Sequence, residues 1–553
     1  MPVLVHEPAA DLVFVGGRVF CADSARRFAT ALAVKDGRIL AVGHDEIREL
    51  VGPATDLVDV AGGLVVPGFQ DAHAHPVQGG LERMRCDLSE LHTREEYLAA
   101  IHAYAAEHPD REWIAGGGWS MAAFPGGTPV KEDLDSVCPD RPVFLPNRDH
   151  HGAWVNSRAL ALAGVDAATP DPPDGRIERR DGGSPSGTLH EGAMHLVGRL
   201  LAPATPQEMT TALLGAQAYL HSLGITGWQD AILGAYANIA DTSDVYMGAA
   251  TDGSLTARVT GALWWRRDRG AEQIADLVAR RERYAAENFR ATSVKIMQDG
   301  VVENYTAAML EPYLDIGGAA TGNSGLSFVD PAELRGYVTA LDAAGFQVHV
   351  HTIGDRAVRE ALDAVEAARA ANGPNDLRHH LAHIQVVHPD DIARFRALGL
   401  TANMQPLWAA AEPQMVELTL PFLGAERAGW QYPFGALLRS GASLCAGSDW
   451  PVSSPNPLWG IHVAVNRTVP PEDAEGDWPA FLPEQAIDLA SALTAYTAGS
   501  AYVNHRDDTG VLAAGNRADI AVLDRDVFAA PAEVISSARV VATYVGGVEV
   551  YSV

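Results

Sequence analysis

The segment LVVPGFQDAHAH (64–75) is an apolar run that ends in two histidines, His73 and His75. Its apolar character predicts a buried β-strand. Residues two positions apart on a strand point to the same side, so both imidazoles are expected to face one ion. The triplet alone is weak evidence, because a chain with 20 histidines is expected to contain a His-X-His by chance. Its position at the end of a strand makes it informative.

Seven further apolar segments have the character of strands, and helical stretches separate most of them. This alternation predicts an α/β fold in which eight parallel strands and their helices form a (β/α)8 TIM barrel. Active sites of such barrels lie at the carboxyl ends of the strands. The seven segments are 224–230, 257–265, 293–300, 346–354, 379–385, 400–406 and 443–449.

Imidazole and carboxylate groups occur at the ends of three later strands. His351 ends the fifth predicted strand, His383 the sixth and Asp449 the eighth. Each alone is most simply a capping or core residue, but their corresponding positions predict that they converge with the first two histidines. Imidazoles with a carboxylate suit zinc and similar divalent ions. The sequence therefore predicts a metal site at the mouth of the barrel.

Lys295 lies inside the apolar run of the fourth predicted strand. A buried lysine is costly unless it is paired or neutral. Two interpretations stay open. The lysine pairs with Asp299, or CO2 carboxylates it to an anionic carbamate that can bridge two divalent ions. The clustering of unusual ionisable residues favours a role in the site.

Both ends of the chain are rich in short strands and turns, such as Asp36-Gly37 between two apolar runs. We predict that the two ends together form a composite β-sandwich domain around the barrel. A stretch rich in Gly, Pro and Trp after the first barrel strand is too long for a simple crossover and predicts an inserted subdomain. The predicted boundaries are 1–63 with 500–553 for the sandwich, 64–499 for the barrel and about 80–200 for the insert.

The composition is that of a folded soluble protein: 47% of the 553 residues are hydrophobic and 20% are charged. The net charge of -29 argues against nucleic acid and anionic membranes as partners. The four cysteines form no CxxC, so a disulfide framework or thiolate metal site is not expected. The N-terminal sequence lacks the pattern of a secretion signal, and no apolar run is long enough for a membrane span. We therefore expect a cytoplasmic protein.

Seven motifs along the chain resemble those of the amidohydrolase superfamily. Within it, the sequence is most similar to amidohydrolase family 3, the branch of YtcJ-like proteins and N-substituted formamide deformylases, which also includes exoenzyme regulators. The resemblance covers essentially the whole chain and is specific for the branch, but it does not define the substrate. The motifs are PGFQDAHAHP (67–76), HGAWVNSRAL (151–160), SVKIMQDG (293–300), HVHTIGDRAV (349–358), HLAHIQ (380–385), AGSDWPV (446–452) and GVLAAGNRADIAVLD (510–524).

The resemblance implies a (β/α)8 barrel with a β-sandwich domain built from both termini. It also implies one or two divalent metal ions per chain, and zinc is the first expectation for such a histidine-rich site. Lys295 matches the lysine that bridges two metals in many relatives, and its carboxylation stays open. The implied metal-site residues are His73, His75, Lys295, His351, His383 and Asp449.

The expected chemistry is hydrolysis of a non-peptide amide. A metal lowers the pKa of a bound water, and the resulting hydroxide attacks a carbonyl group polarised by the metal. Asp449 is the expected catalytic residue, because it is placed to take the water proton and pass it to the leaving amine.

Other candidates could position the ligands or contact substrate. Asp355 is expected to orient His351 or to cap the following helix. His349 lies two residues before His351 and is expected behind the ligands or in the core. Trp408 is one of several tryptophans near the strands, and a cluster of them at the barrel mouth would favour an apolar or aromatic substrate group.

The predicted insert supplies three candidates that could face the pocket from above: His151, Trp154 and Asn156. Asn156 also has the pattern of a helix N-cap, which is the more ordinary interpretation. Glu191 is expected to be an exposed helix residue.

The leading hypothesis is a metal-dependent hydrolase of a small amide, with N-substituted formamides as the first substrate class. A cyclic-amide hydrolase or a deaminase of the same superfamily is the enzymatic alternative. A regulatory or binding protein on the same barrel is the alternative from another class. The oligomeric state stays open, with a homodimer as one option.

Overall fold

The structure is a computed structural model that describes residues 9–236, 239–474, 476 and 478–553. Within them, eight parallel strands pair in chain order into one nearly closed barrel sheet, as predicted. The strands, first to eighth, are Phe69–Ala74, Ile225–Leu233, Arg258–Trp264, Phe289–Met297, Gln347–Thr352, His380–His383, Thr401–Met404 and Ser443–Ala446.

The segment LVVPGFQDAHAH (64–75) divides into two strands at Gly68. Leu64–Pro67 pairs antiparallel with Ile520–Leu523 and so belongs to the terminal domain, whereas Phe69–Ala74 begins the barrel. A Cβ on Gly68 would lie 2.4 Å from the side chain of Thr226, which explains the small residue at this crossing. The predicted boundary at 63 therefore lies four residues too early.

The two ends of the chain form two sheets that share one apolar core. The rings of Phe14 and Tyr544, one from each end, meet edge-on with centroids 5.1 Å apart. One sheet contains Leu12–Val15, Ala31–Lys35, Arg38–Gly43 and Asp56–Asp59; the other contains Arg18–Phe20, Phe28–Ala29, Leu64–Pro67, Ile520–Leu523, Val540–Val545 and Val548–Ser552.

A fourth sheet lies in the long segment after the first barrel strand and has its own core around Trp119, Phe124 and Trp154. Its position in the chain explains why the first two barrel strands are so far apart in sequence. Its strands are Cys86–Asp87, Ile114–Gly117, Val143–Pro146, Gly152–Val155, Gly175–Arg179 and Pro185–Glu191.

Several helices begin at a residue whose side chain caps the first turn. Thr205, for example, accepts the amide of Glu208, whose side chain binds back to the Thr205 amide. Among the described helices, none has both the length and the hydropathy of a membrane span. The helices are Pro76–Arg83, Arg94–Glu107, Lys131–Val137, Ser157–Ala163, His195–Gly198, Pro206–Ser222, Ser243–Asp252, Ile274–Arg283, Pro331–Ala343, Asp355–Asn372, Ile392–Leu398, Leu420–Ala428, Phe434–Ser440, Pro457–Asn466, Leu489–Thr494 and Ser500–Val503.

Candidate metal centre

A pocket of about 590 Å³ opens at the carboxyl ends of the barrel strands. Its floor is polar and its wall is largely apolar. Residues of the barrel strands, of the loops after them and of the inserted segment line it together. They are His73, His75, Gln78, Asp149, His150, His151, Ile232, Tyr236, Lys295, Met297, Val301, His351, Ile353, His383, Trp408, Asp449 and Val452.

Three of the predicted ligands form a compact cluster on this floor. Oδ1 of Asp449 lies 3.2 Å from Nε2 of His73 and 3.1 Å from Nε2 of His75. Burial alone raises the pKa of the Asp449 carboxyl, but the two imidazoles outweigh burial and hold that pKa well below its ordinary value. The cluster is therefore an anionic carboxylate facing two ring nitrogens, the geometry of a divalent-metal site.

Lys295 is 2% exposed and lies beside this cluster. Its Nζ is 3.4 Å from Nε2 of His73 and 3.5 Å from Nε2 of His349. Burial lowers the pKa of Lys295 to about 7, and the charge of Asp449 only partly opposes this. The alternative pairing of Lys295 with Asp299 is not formed, because the Asp299 carboxylate binds other groups.

The carboxylate of Asp299 orients His351. Its Oδ1 accepts from Nδ1 of His351 at 3.1 Å, which leaves Nε2 of that ring for the pocket. The sequence offered Asp355 for this role or for capping the following helix; its carboxylate accepts the backbone amide of Leu310 at 2.9 Å, and Asp299 is the carboxylate that binds the ring. Asp355 lies at the start of a helix, turned away from the ring that it follows in sequence.

His383 has the features expected of a fourth ligand beside His73, His75 and Asp449. Its Nδ1 is buried, has no hydrogen-bond partner among the described residues, and lies 3.9 Å from Oδ2 of Asp449. Its ring stacks on Trp408 with centroids 5.3 Å apart and planes at 5°. A buried ring nitrogen without a protein partner, beside a carboxylate and other imidazoles, is a donor that a metal ion could use.

Two of the predicted ligands lie on strained backbone. His383 and Asp449 have φ values of 75° and 60°, in a region that residues other than glycine rarely adopt. Such conformations cost about 1–3 kcal/mol each and are concentrated at functional sites. The two side chains approach each other, with 3.9 Å between Nδ1 of His383 and Oδ2 of Asp449.

His349 lies below the ligands, as expected from its place two residues before His351. Its Nε2 is 2.9 Å from Nδ1 of His73, and its Nδ1 is 2.6 Å from Oε1 of Gln229. Burial lowers the pKa of His349 well below its ordinary value, so the ring is neutral.

The inserted segment supplies His151 to the pocket. Its Nδ1 lies 2.9 and 3.0 Å from the two carboxylate oxygens of Glu191. Burial opposes protonation, but the Glu191 carboxylate outweighs it and raises the pKa of His151 to about 9. The expectation that Glu191 is an exposed helix residue was wrong: it ends the strand Pro185–Glu191, and its side chain is only 7% exposed.

The other two candidates from the insert do not face the pocket. Trp154 is fully buried in the core of the insert, where its Nε1 donates to the carbonyl of Val130. Asn156 is a helix N-cap: its Oδ1 accepts the amide of Ala159, and its Nδ2 donates to two backbone carbonyls. Both residues hold the insert together, so their sequence motif reflects structure rather than contact with substrate.

Sequence reasoning missed the roles of three residues behind the site. Asp299 stands directly after the fourth strand in the motif SVKIMQDG, and its position could have marked it as a partner of a strand-end histidine. Gln229 lies inside the second strand and carries no charge that would mark it in the sequence. Glu191 is far from His151 in sequence, and only the pairing of two insert strands brings them together.

The profile of the Amidohydrolase family matches residues 56–551. The chain belongs to the amidohydrolase family. It is 34% identical to Protein LONG AFTER FAR-RED 3 of Arabidopsis thaliana, an alignment that covers 98% of this chain and 92% of that protein. It is 27% identical to N-substituted formamide deformylase of Arthrobacter pascens, covering 97% of this chain and 98% of the relative.

A solved structure agrees with this assignment. An uncharacterized metal-dependent hydrolase from Pyrococcus furiosus superposes with a TM-score of 0.68 at 26% identity, over 93% of this chain and 99% of the other. As a member of this family, the chain is a hydrolase of carbon–nitrogen bonds.

Proposed function

We propose that this amidohydrolase hydrolyses the C–N bond of a small, neutral N-substituted amide, with N-substituted formamides as the first candidates. The observation that carries the proposal is the Asp449 carboxylate, 3.2 and 3.1 Å from the ring nitrogens of His73 and His75, at the base of a largely apolar pocket. A relative named N-substituted formamide deformylase supports the choice of substrate class.

The side chains fit a resident metal, because they combine a buried carboxylate, imidazoles and an unpartnered ring nitrogen. When bound, a divalent ion such as zinc supplies a Lewis acid and a water of lowered pKa. One or two ions would be held by His73, His75, His351, His383, Asp449 and, in a carboxylated form, Lys295.

Asp449 is the proposed catalytic residue. Water adds to the amide carbonyl carbon, the C–N bond breaks, and the products are a carboxylic acid and an amine. The Asp449 carboxylate accepts a proton from the attacking water and delivers it to the departing nitrogen, since an amine leaves poorly as an anion. Its low pKa keeps it ionised at neutral pH, the form that has lone pairs to accept a proton.

His151 is the proposed contact for the carbonyl oxygen. Glu191 fixes its ring through Nδ1, so its other nitrogen, which has no protein partner among the described residues, is free for a substrate in the pocket. A protonated imidazole stabilises the negative charge that develops on that oxygen. This contact comes from the insert and closes the pocket opposite the barrel floor.

The pocket wall determines the class of amine that we propose. Trp408, Tyr236 and Met297 line it, and they suit an apolar or aromatic substituent on nitrogen. Of the residues that the structure describes, no arginine lines the pocket, so a carboxylate-bearing substrate would lack its usual partner.

Carboxylation of Lys295 is proposed together with a second ion. Its amine has a pKa of about 7 and is therefore substantially neutral near neutral pH, the form that reacts with CO2. The carbamate would remove a buried cation from the side of His73. A 13C resonance from carbamate in protein incubated with 13C-bicarbonate, absent in Lys295→Ala, would test this.

The decisive experiment combines metal analysis with a substrate screen. Zinc-loaded protein is assayed against N-benzylformamide-type amides, cyclic amides such as hydantoins, and aminated heterocycles. Release of formate and amine from the first group only is the expected result. Turnover of the second or third group alone would assign a cyclic-amide hydrolase or a deaminase. A stable protein that binds no metal and turns over nothing would favour a binding protein.

A further inference from the structure

A line of buried polar side chains runs from the backbone to the metal centre beneath the barrel floor. Its members are at most 1% exposed, and each belongs to a barrel strand. In order, they are Gln347, Gln229, His349 and His73.

The first member of the line, Gln347, has a side-chain amide whose orientation is fixed by backbone carbonyls. Gln347 places its Nε2 2.8 Å from the carbonyl oxygen of Arg378 and 2.7 Å from that of Val503. Backbone carbonyls only accept hydrogen bonds, so the amide nitrogen of Gln347 must face them and its Oε1 must face Gln229.

That orientation determines the next side chain. Oε1 of Gln347 only accepts, so Gln229 turns its Nε2 toward it, at 3.2 Å, and also toward Oδ1 of Asn504 at 3.2 Å. The Oε1 of Gln229 therefore faces Nδ1 of His349 at 2.6 Å, and His349 must carry its hydrogen on Nδ1.

The last step reaches the ligand. A neutral His349 with a hydrogen on Nδ1 has a lone pair on Nε2, which lies 2.9 Å from Nδ1 of His73. His73 therefore donates from Nδ1 and keeps the lone pair of Nε2 free. That Nε2 is the atom that faces Oδ1 of Asp449 at 3.2 Å.

We propose that Gln229 and His349 are positioning residues that fix the tautomer and the ring plane of His73, so that its Nε2 is preformed as a metal ligand. The proposal rests on the metal site of the proposed function. It differs from the arrangement at His351, where a carboxylate, Asp299, accepts the ring hydrogen. At His73, two neutral side chains, Gln229 and His349, determine which ring nitrogen carries the hydrogen. The direction of their hydrogen bonds is fixed in turn by backbone carbonyls.

Two pairs of variants test this relay, the hydrogen-bonded line from Gln347 through Gln229 and His349 to His73. The first pair is His349→Gln and His349→Met: both side chains have similar length, but only glutamine can accept the Nδ1 hydrogen of His73. The second is Gln229→Met against Gln70→Met. Gln70 is another buried barrel glutamine, bound to Thr509 and outside the line. Zinc affinity is measured by competition with a chromophoric chelator, and thermal unfolding of the metal-free proteins reports folding.

We expect His349→Met and Gln229→Met to bind zinc about 10–100-fold more weakly, the usual effect of losing the partner of a metal-bound histidine. His349→Gln and Gln70→Met should stay within about threefold of wild type. Equal affinity within either pair would overturn the relay, and the second pair decides if the first does not fold. If wild type binds zinc and hydrolyses amides while the variants keep their affinity, only the relay fails. If wild type binds no zinc, the metal site itself fails.

Discussion

The carboxyl group of Asp71, on the first barrel strand, binds Ser448 just beyond the eighth. Its Oδ2 is 2.5 Å from Oγ of Ser448, and both of its oxygens lie 3.1 Å from the Ser448 amide. The same group accepts the amide of His73 at 2.9 Å. Because Ser448 directly precedes Asp449, one side chain joins the two edge strands of the barrel and spaces two of the proposed ligands.

This relationship predicts that Asp71→Ala costs about 3 kcal/mol of stability, since it leaves buried donors on Ser448 and His73 without an acceptor. Burial raises the pKa of Asp71 to about 7, so a neutral group of the same shape is tolerable there. Asp71→Asn should therefore lose less than half as much. Chemical unfolding of the metal-free proteins measures both, and equal losses would contradict the proposed closure.

Metal removal gives a second prediction. Wild type purified without chelator should contain about two zinc ions per chain if Lys295 bridges them as a carbamate, and Lys295→Ala should contain fewer. Dialysis against chelator should lower the unfolding temperature, because a ligand at 100 times its Kd stabilises the folded state by about 2.7 kcal/mol. Elemental analysis is the measurement. One zinc that survives the substitution would assign a mononuclear site and another role for Lys295.

The pair of His151 and Glu191 predicts a specific pH dependence. Glu191 raises the pKa of His151 to about 9, against an ordinary value of 6.5. A raised folded-state pKa stabilises the folded protein fully below pH 6.5, and this contribution is lost as the pH rises through 9. In Glu191→Gln the charge of the partner is gone, and burial should bring the pKa of His151 below 6.5.

Histidine-selective NMR titration of the metal-free protein measures this pKa directly, and His151→Gln identifies the resonance. The matched stability experiment compares unfolding temperatures at pH 6 and pH 9.5. The difference between wild type and Glu191→Gln should be large at pH 6 and small at pH 9.5. A His151 resonance that titrates near 6.5 in wild type would rule out the charged pair.

The sequence was sufficient to predict the barrel, because several of its strands are apolar runs that end in a histidine or an aspartate. His351 and His383 could be placed at the same edge from strand position alone, since the carboxyl ends of parallel strands share one edge. The same pattern could not separate Leu64–Pro67 from Phe69–Ala74, because both halves are apolar and only pairing with Ile520–Leu523 distinguishes them.

Partners that act across strands were beyond sequence reasoning. Asp355 follows His351 more closely than Asp299 does, yet the helix that starts at Asp355 turns its carboxylate toward Leu310. The fourth strand runs parallel beside the fifth, so a residue just past its end reaches the neighbouring ring. Spacing along one strand therefore suffices to bring the candidate ligands to one edge, whereas the residues that orient them depend on the register between strands.

Trp408 is expected to determine which substituent on the amide nitrogen the pocket prefers. Its ring stacks on His383 and lines the pocket, so it offers the apolar contact for the substituent on the amide nitrogen. Trp408→Leu should raise KM for an N-benzylformamide by about tenfold, equivalent to about 1.4 kcal/mol, and change KM for N-methylformamide far less. Steady-state kinetics on the two substrates measure the ratio. An unchanged ratio would place the substituent elsewhere.

Asp299 and Asp355 offer a matched pair of variants that tests which carboxylate orients His351. Asp299 and Asp355 are both about 1% exposed or less, and each accepts buried backbone amides. Both Asp299→Ala and Asp355→Ala should therefore destabilise the metal-free protein, by about 1–3 kcal/mol. Only Asp299 also holds a proposed metal ligand, through Nδ1 of His351.

Zinc affinity should therefore separate the two variants where stability does not. Asp299→Ala frees His351 to rotate or to change tautomer, and it should weaken zinc binding by about 10–100-fold. Asp355→Ala should bind zinc like wild type, because its carboxylate reaches the Leu310 amide and not a ligand ring. Chelator competition at a temperature where both variants are folded measures the difference. Equal zinc affinities would mean that the carboxylate behind His351 supports the fold and not the metal.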